Sequence, residues 1–79
     1  MSHENLTARL LDLAAAKFSR PRAALRPEMD LFDALEIDSV DAMTLLTALE
    51  TEFRVEIPDY EVQDVRTFSA LAEVIARRL

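Results

Sequence analysis

Leu6, Leu10 and Leu13 recur at helical spacing through residues 3–17, and Ala14, Ala15 and Ala16 extend that stretch with the best helix former. The spacing then lapses. Pro21 and Pro27 interrupt regular structure, so residues 18–37 read as a long connection. Its apolar anchors, Leu25, Leu31, Phe32, Leu35 and Ile37, predict an ordered loop with one short turn near 31–35. From residue 39 the period resumes. At about 100° per residue, Ala42, Leu45, Leu46, Leu49 and Phe53 share one narrow arc, predicting a helix over 39–53 whose arc faces the core. Val40, Met43 and Thr47 form a second stripe on nearly the opposite side. Apolar surface residues are common, but Asp41 and Glu50 rim these and make them a candidate docking patch. This segment reads as the most amphipathic in the chain.

Residues Arg54 to Ile57 read as an extended turn ending at Pro58, with Asp59 available to cap a short helical piece at 59–64. Thr67 is the expected N-cap of a last helix over 68–79, with Phe68, Leu71, Ala72, Ile75 and Leu79 as its core stripe. Arg77 and Arg78 complement the dipole in its final turn. No stretch alternates with period two, so strands are not expected. The pattern predicts an all-α bundle of three main helices plus one short helix, a single domain over 1–79.

Composition narrows the chemistry. The chain is 51% hydrophobic and 30% charged, which fits a folded bundle rather than a disordered tail. There is no cysteine, hence no disulfide framework and no thiolate metal site; any thioester chemistry needs a thiol brought from outside. No His stands ready as a base for a serine nucleophile, because His3 lies beside the terminus, so an independent enzyme is not expected. Asp30, Asp33 and Asp38 lack the ligand density and central glycine of a calcium loop. Met1 to Asn5 carry no signal-peptide pattern, and no apolar run approaches the roughly 18 residues of a membrane span, so a cytoplasmic protein is expected.

Net charge is −6, and its placement matters more than its size. Residues 38–64 hold eight acids against Arg54 alone, so this one segment carries essentially all of the excess. Such a field opposes nucleic acid and favours partners with basic docking surfaces.

Four serines are candidates for modification: Ser2, Ser19, Ser39 and Ser69. Ser39 stands apart. It follows Asp38 at the junction of loop and helix, where first-turn N–H groups favour an attached phosphate. The same position suits a plain helix cap, and local context divides the two readings evenly.

The run Leu35-Glu36-Ile37-Asp38-Ser39-Val40-Asp41 is followed by Leu45-Leu46-Thr47-Ala48-Leu49-Glu50-Thr51-Glu52-Phe53 and Val55-Glu56-Ile57-Pro58-Asp59. Together these resemble the acyl carrier protein family across roughly residues 30–76. The resemblance implies that Ser39 carries 4′-phosphopantetheine, installed from coenzyme A by a phosphopantetheinyl transferase, with Asp38 as the motif acid that helps hold that enzyme's magnesium. It further implies that Val40, Asp41, Met43, Glu50 and Glu52 line the helix that meets basic patches on acyl-loading and acyl-processing enzymes. A monomeric carrier serving fatty-acid, polyketide or related specialised biosynthesis follows from it. Should the cargo fold back into the bundle, Phe32, Leu45, Leu49, Ile57 and Ile75 are the expected lining.

Several positions depart from the family pattern. Val40 replaces the usual leucine, Thr44 and Thr51 stand where acids are usual, and Glu36 and Arg54 stand where glycine is usual. With no glycine in the chain, its loops must either avoid positive φ or hold a bulky residue there under strain. These departures point to a specialised stand-alone carrier. Peptidyl carriers typically show Gly-Gly ahead of the serine, and Ile37-Asp38-Ser39 leans away from them. Stand-alone aminoacyl carriers share Asp-Ser and remain an alternative, as does an unmodified helical interaction module.

Overall fold

A computed structural model describes residues 2–79; Met1 lies outside the described residues. Helix α1 (His3–Lys17) is capped by Ser2, whose Oγ accepts the Asn5 N–H at 3.1 Å. It buries Leu6, Leu10, Leu11, Ala14 and Ala15. The buried stripe thus takes in Leu11, while Leu13 is only half-buried. After Lys17 the chain makes a short 3₁₀ turn at Arg22–Ala24, beyond the single turn expected in the connection, and buries Leu25 directly after it.

Helix α2 (Leu31–Leu35) is capped by Asp30, whose Oδ1 accepts from the Phe32 and Asp33 N–H groups at 2.9 and 3.1 Å. Helix α3 (Ser39–Phe53) buries Leu45, Leu46, Leu49 and Phe53, as the spacing predicts. Helix α4 (Phe68–Arg78) is capped by Thr67, whose Oγ1 accepts the Ala70 N–H at 3.1 Å. Three long helices and one short one match the expected bundle, and the described residues contain no strand beyond an isolated Asp30–Thr67 bridge.

Three local expectations need correction. Asp59 does not cap: Pro58 holds the N-cap position without a side-chain bond, and the helical piece is a 3₁₀ turn ending at Glu61 rather than a helix to residue 64. A single turn cannot sustain itself where Val62 and Val65 must turn inward to reach the core. Leu79 is not core, since it follows the end of α4 and is 61% exposed. Amphipathicity is sharpest in α4, not α3, because α3 carries apolar Val40 and Met43 on its outer side.

Glu36 and Arg54 end α2 and α3 in the left-handed region, at φ 55° and 56°. Strain, not avoidance, is how this glycine-free chain makes its turns. A side chain with a Cβ costs roughly 1–2 kcal/mol there. Both ends nonetheless close by the six-to-one bond of a Schellman motif, Ile37 N–H to Phe32 O and Val55 N–H to Glu50 O, each 3.1 Å. Ile37 and Val55 then pack against the core, so apolar burial offsets the strain.

The densest packing joins α1 to α4, with α3 laid against α1. Leu10, Ala14, Leu49, Phe68, Ala72 and Ile75 are completely buried where these helices meet. α2 and the 59–66 stretch close the other side less completely, leaving a cleft beside the start of α3.

Candidate functional site: the Ser39 junction and its cleft

Asp38 adopts extended backbone and its Oδ1 accepts the Asp41 N–H at 2.9 Å. The cap of α3 is therefore Asp38. Ser39, the first helical residue, is exposed, and its hydroxyl is not committed to the cap. This removes the helix-cap reading of Ser39 and leaves an alcohol in reach of another enzyme. Among the other serines, Ser2 is occupied as a cap and the Ser69 hydroxyl lies 3.3 Å from that of Thr67. Ser19 is exposed and sits at positive φ in the loop after α1.

Around the junction, Val40 is 73% and Met43 45% exposed, with Asp41 half-buried between them. These three predicted docking residues share the first two turns of α3. The other two lie further along the helix, Glu50 half-buried and Glu52 exposed. Glu50 Oε2 accepts the Ile57 N–H at 2.8 Å, pinning the extended segment after α3. Glu52 pairs with Arg9 of α1, whose guanidinium also lies 5.6 Å from the centre of the Phe53 ring. Thr44 and Thr51 bond back to the carbonyls of Val40 and Thr47, each at 3.2 Å, so their hydroxyls are spent within the helix.

A cleft of about 520 Å³ opens at Ser39. It runs between α2 and α3, with the 59–66 stretch as its far wall. Leu31, Leu45, Leu46 and Leu71 make its floor. Phe32 and Leu45 line it as expected, whereas Leu49, Ile57 and Ile75 lie in the sealed core and do not. The helical arc could not separate Leu45 from Leu49, because both share one face and only the neighbouring elements decide which faces a gap.

Arg66 was missed by the sequence reading. It lines the cleft, its guanidinium lies 4.9 Å from the centre of the Phe32 ring, and its Nε donates to Asp30 Oδ2 at 2.7 Å. The Asp33 N–H foremost, against some desolvation, then Arg66 and the Phe32 N–H, hold the Asp30 carboxyl below its ordinary 3.8. The two partners are 36 residues apart, and no local pattern announces their meeting. Outside the cleft, Glu61 accepts from Arg78 at 2.9 Å, tying the 59–61 turn to the end of α4 and raising the guanidinium's pKa. Among the described residues, no group of three or more acidic or His side chains is placed to hold a metal. Among the same residues, no helix is long and apolar enough to cross a membrane.

A family model described as the phosphopantetheine attachment site matches residues 8–75. The acyl carrier protein of Myxococcus xanthus is 32% identical over 74 residues, covering 94% of each chain. That of Syntrophobacter fumaroxidans is 31% identical over 72 residues, covering 91% of this chain and 89% of its own. In fold, the chain matches a structure of the acyl carrier protein from Enterococcus faecalis over the full length of both chains, with a TM-score of 0.78 at 23% identity. A small helical carrier domain is thus the class that fold and site define. The chain belongs to the acyl carrier protein family. Membership implies covalently attached 4′-phosphopantetheine, and the family consists of carriers that work with partner enzymes such as phosphopantetheinyl transferases. The exposed, uncommitted Ser39 hydroxyl at the mouth of an apolar cleft fits such a group.

Proposed function

We propose that Ser39 is the attachment residue and that the chain carries acyl intermediates in fatty-acid, polyketide or related specialised biosynthesis. The observation that carries this is the division of labour at the junction: Asp38 caps the helix, and the next residue's hydroxyl stays exposed. When bound, the arm supplies the thiol that this cysteine-free chain lacks, and a tethered cargo visits partner sites at raised effective concentration. The chain itself makes no bonds in this reading; it holds, presents and releases. Asp38 keeps its motif role beside the serine, toward the transferase's magnesium. Val40, Asp41 and Met43 form the docking surface, with a small apolar contact ringed by acid. That arrangement suits fast, weak encounters with basic partner surfaces, because charge steers association more than it holds the complex. Glu50 and Glu52 extend that acidic surface along the helix, Glu50 while also accepting the Ile57 N–H and Glu52 while exposed beside Arg9. We place the protein in the cytoplasm as a monomer.

The test is incubation with coenzyme A and a broad-specificity phosphopantetheinyl transferase. The chain gains the mass of one arm, and Ser39→Ala stays at bare mass while remaining folded. A gain of mass by the Ser39→Ala chain would overturn the assignment.

A further inference from the structure

Arg66 is the one cation among the described residues lining the cleft that opens at Ser39. Resting on the carrier reading above, we infer that Arg66 is a specificity-determining residue that selects an acyl chain bearing a neutral oxygen, a ketone or hydroxyl, over a plain hydrocarbon chain.

Three observations lead there. The first is that the cleft is not uniformly oily: its floor is Leu31, Leu45, Leu46 and Leu71, but a guanidinium reaches its wall. The second is that this guanidinium is held in advance of any ligand. Phe32 lies against it, and Asp30, itself fixed by capping α2, accepts from its Nε. The backbone is tied at the same place, with Leu31 N–H donating to Arg66 O at 2.6 Å. Although exposed, the side chain already has these two partners, which lowers the entropy lost on a further contact. Only Nε is committed, so the terminal nitrogens keep donors to offer.

The third observation is electrostatic and decides what those donors prefer. Asp30 already offsets the charge of Arg66 at 2.7 Å, and Asp59 and Asp64 line the same cleft. A carboxylate-bearing cargo meets three acids against one guanidinium and is repelled. A neutral carbonyl or hydroxyl oxygen accepts a charge-assisted hydrogen bond without that repulsion. A hydrocarbon chain fills the floor equally well but leaves the donors to water.

The experiment uses the full chain, loaded on its arm with three cargoes of equal length: a plain acyl chain, one with an internal ketone, and one ending in a carboxylate. Intact mass first establishes loading. The methyl signals of Leu45, Leu46 and Leu71 then report how much cargo is seated, and the Arg66 Nε–H signal reports contact. The ketone chain moves the Arg66 signal in the unaltered protein; the plain chain does not. Arg66→Gln lowers the seated-to-free ratio of the ketone chain about fivefold and leaves the plain chain unchanged, with Arg66→Lys in between. The inference is overturned if Arg66→Gln affects both chains alike, if the carboxylate chain seats best, or if the unloaded arm alone moves the Arg66 signal, which would make its phosphate the ligand. Failure of the chain to gain any mass removes the carrier reading and this inference together, whereas loaded protein without discrimination removes this inference only.

Discussion

The two sides of α3 are built to different ends. Toward α1 and α4 it meets a sealed interior, where Leu10, Leu49, Phe68 and Ile75 have no exposed surface. Toward α2 and the 59–66 stretch it borders a cleft, an exposed guanidinium paired with a half-buried carboxylate, and an uncommitted serine. The sealed side holds the domain together, and the open side can change what it touches without unfolding it. A small domain buries only about 60% of its unfolded surface. Concentrating its best packing on one side is how it keeps the other available.

The largest expected effect lies on the sealed side. Phe68→Ala should cost about 3–5 kcal/mol, a large share of the stability of so short a chain. Leu46→Ala, which removes atoms from the floor of the cleft, already facing a gap, should cost clearly less, about 2 kcal/mol, at the low end of such truncations. Urea unfolding of both reads the difference directly. Equal losses would break the contrast between the two sides.

Next in size is the junction. Asp38→Ala should destabilise by about 1 kcal/mol through loss of the α3 cap, while Ser39→Ala should leave thermal unfolding nearly unchanged. The reverse order would return the capping role to Ser39. The same residues mark how far the sequence could be read. Ser39 stood out because it begins a strongly periodic stretch, and Pro58, Thr67 and the three leucine-rich segments delimited the helices for the same reason. Asp and Ser are equally good caps, however, so the division of labour between them was invisible until the backbone was placed. Leu79 continues the α4 stripe by spacing, but nothing lies beyond the helix end to cover it. Arg66 and Asp30 meet only because α2 folds onto the start of α4, a tertiary event without a local signature.

Arg54→Gly should stabilise the protein by up to about 1 kcal/mol, since the left-handed geometry persists and the Cβ penalty disappears, less the added freedom of the unfolded chain. Glu36→Gly should gain less, because it also loses the pairing of Glu36 with Arg20 at 2.7 Å. Chemical denaturation measures both. A loss at Arg54 would mean that its side chain does more than end a helix.

The smallest effect is in acid. The folded pKa of Asp30 is lowered, chiefly by the Asp33 N–H and then by Arg66, so its contribution is present above the ordinary 3.8 and fades as pH falls through the lower folded value. Stability of the unaltered chain therefore has an acid-side component that Asp30→Asn lacks. Unfolding curves collected down through pH 4 and below compare the two, and identical slopes would show that Asp30 gains nothing from its partners.

The central claim concerns where a borrowed thiol is tethered, and fragmentation mass spectrometry of the chain after transferase treatment tests it most directly. The account predicts one added 4′-phosphopantetheine, borne by the side chain of Ser39. A chain that stays unmodified beside a carrier that the same enzyme converts, or an arm located on Ser19 or Ser69, would contradict it.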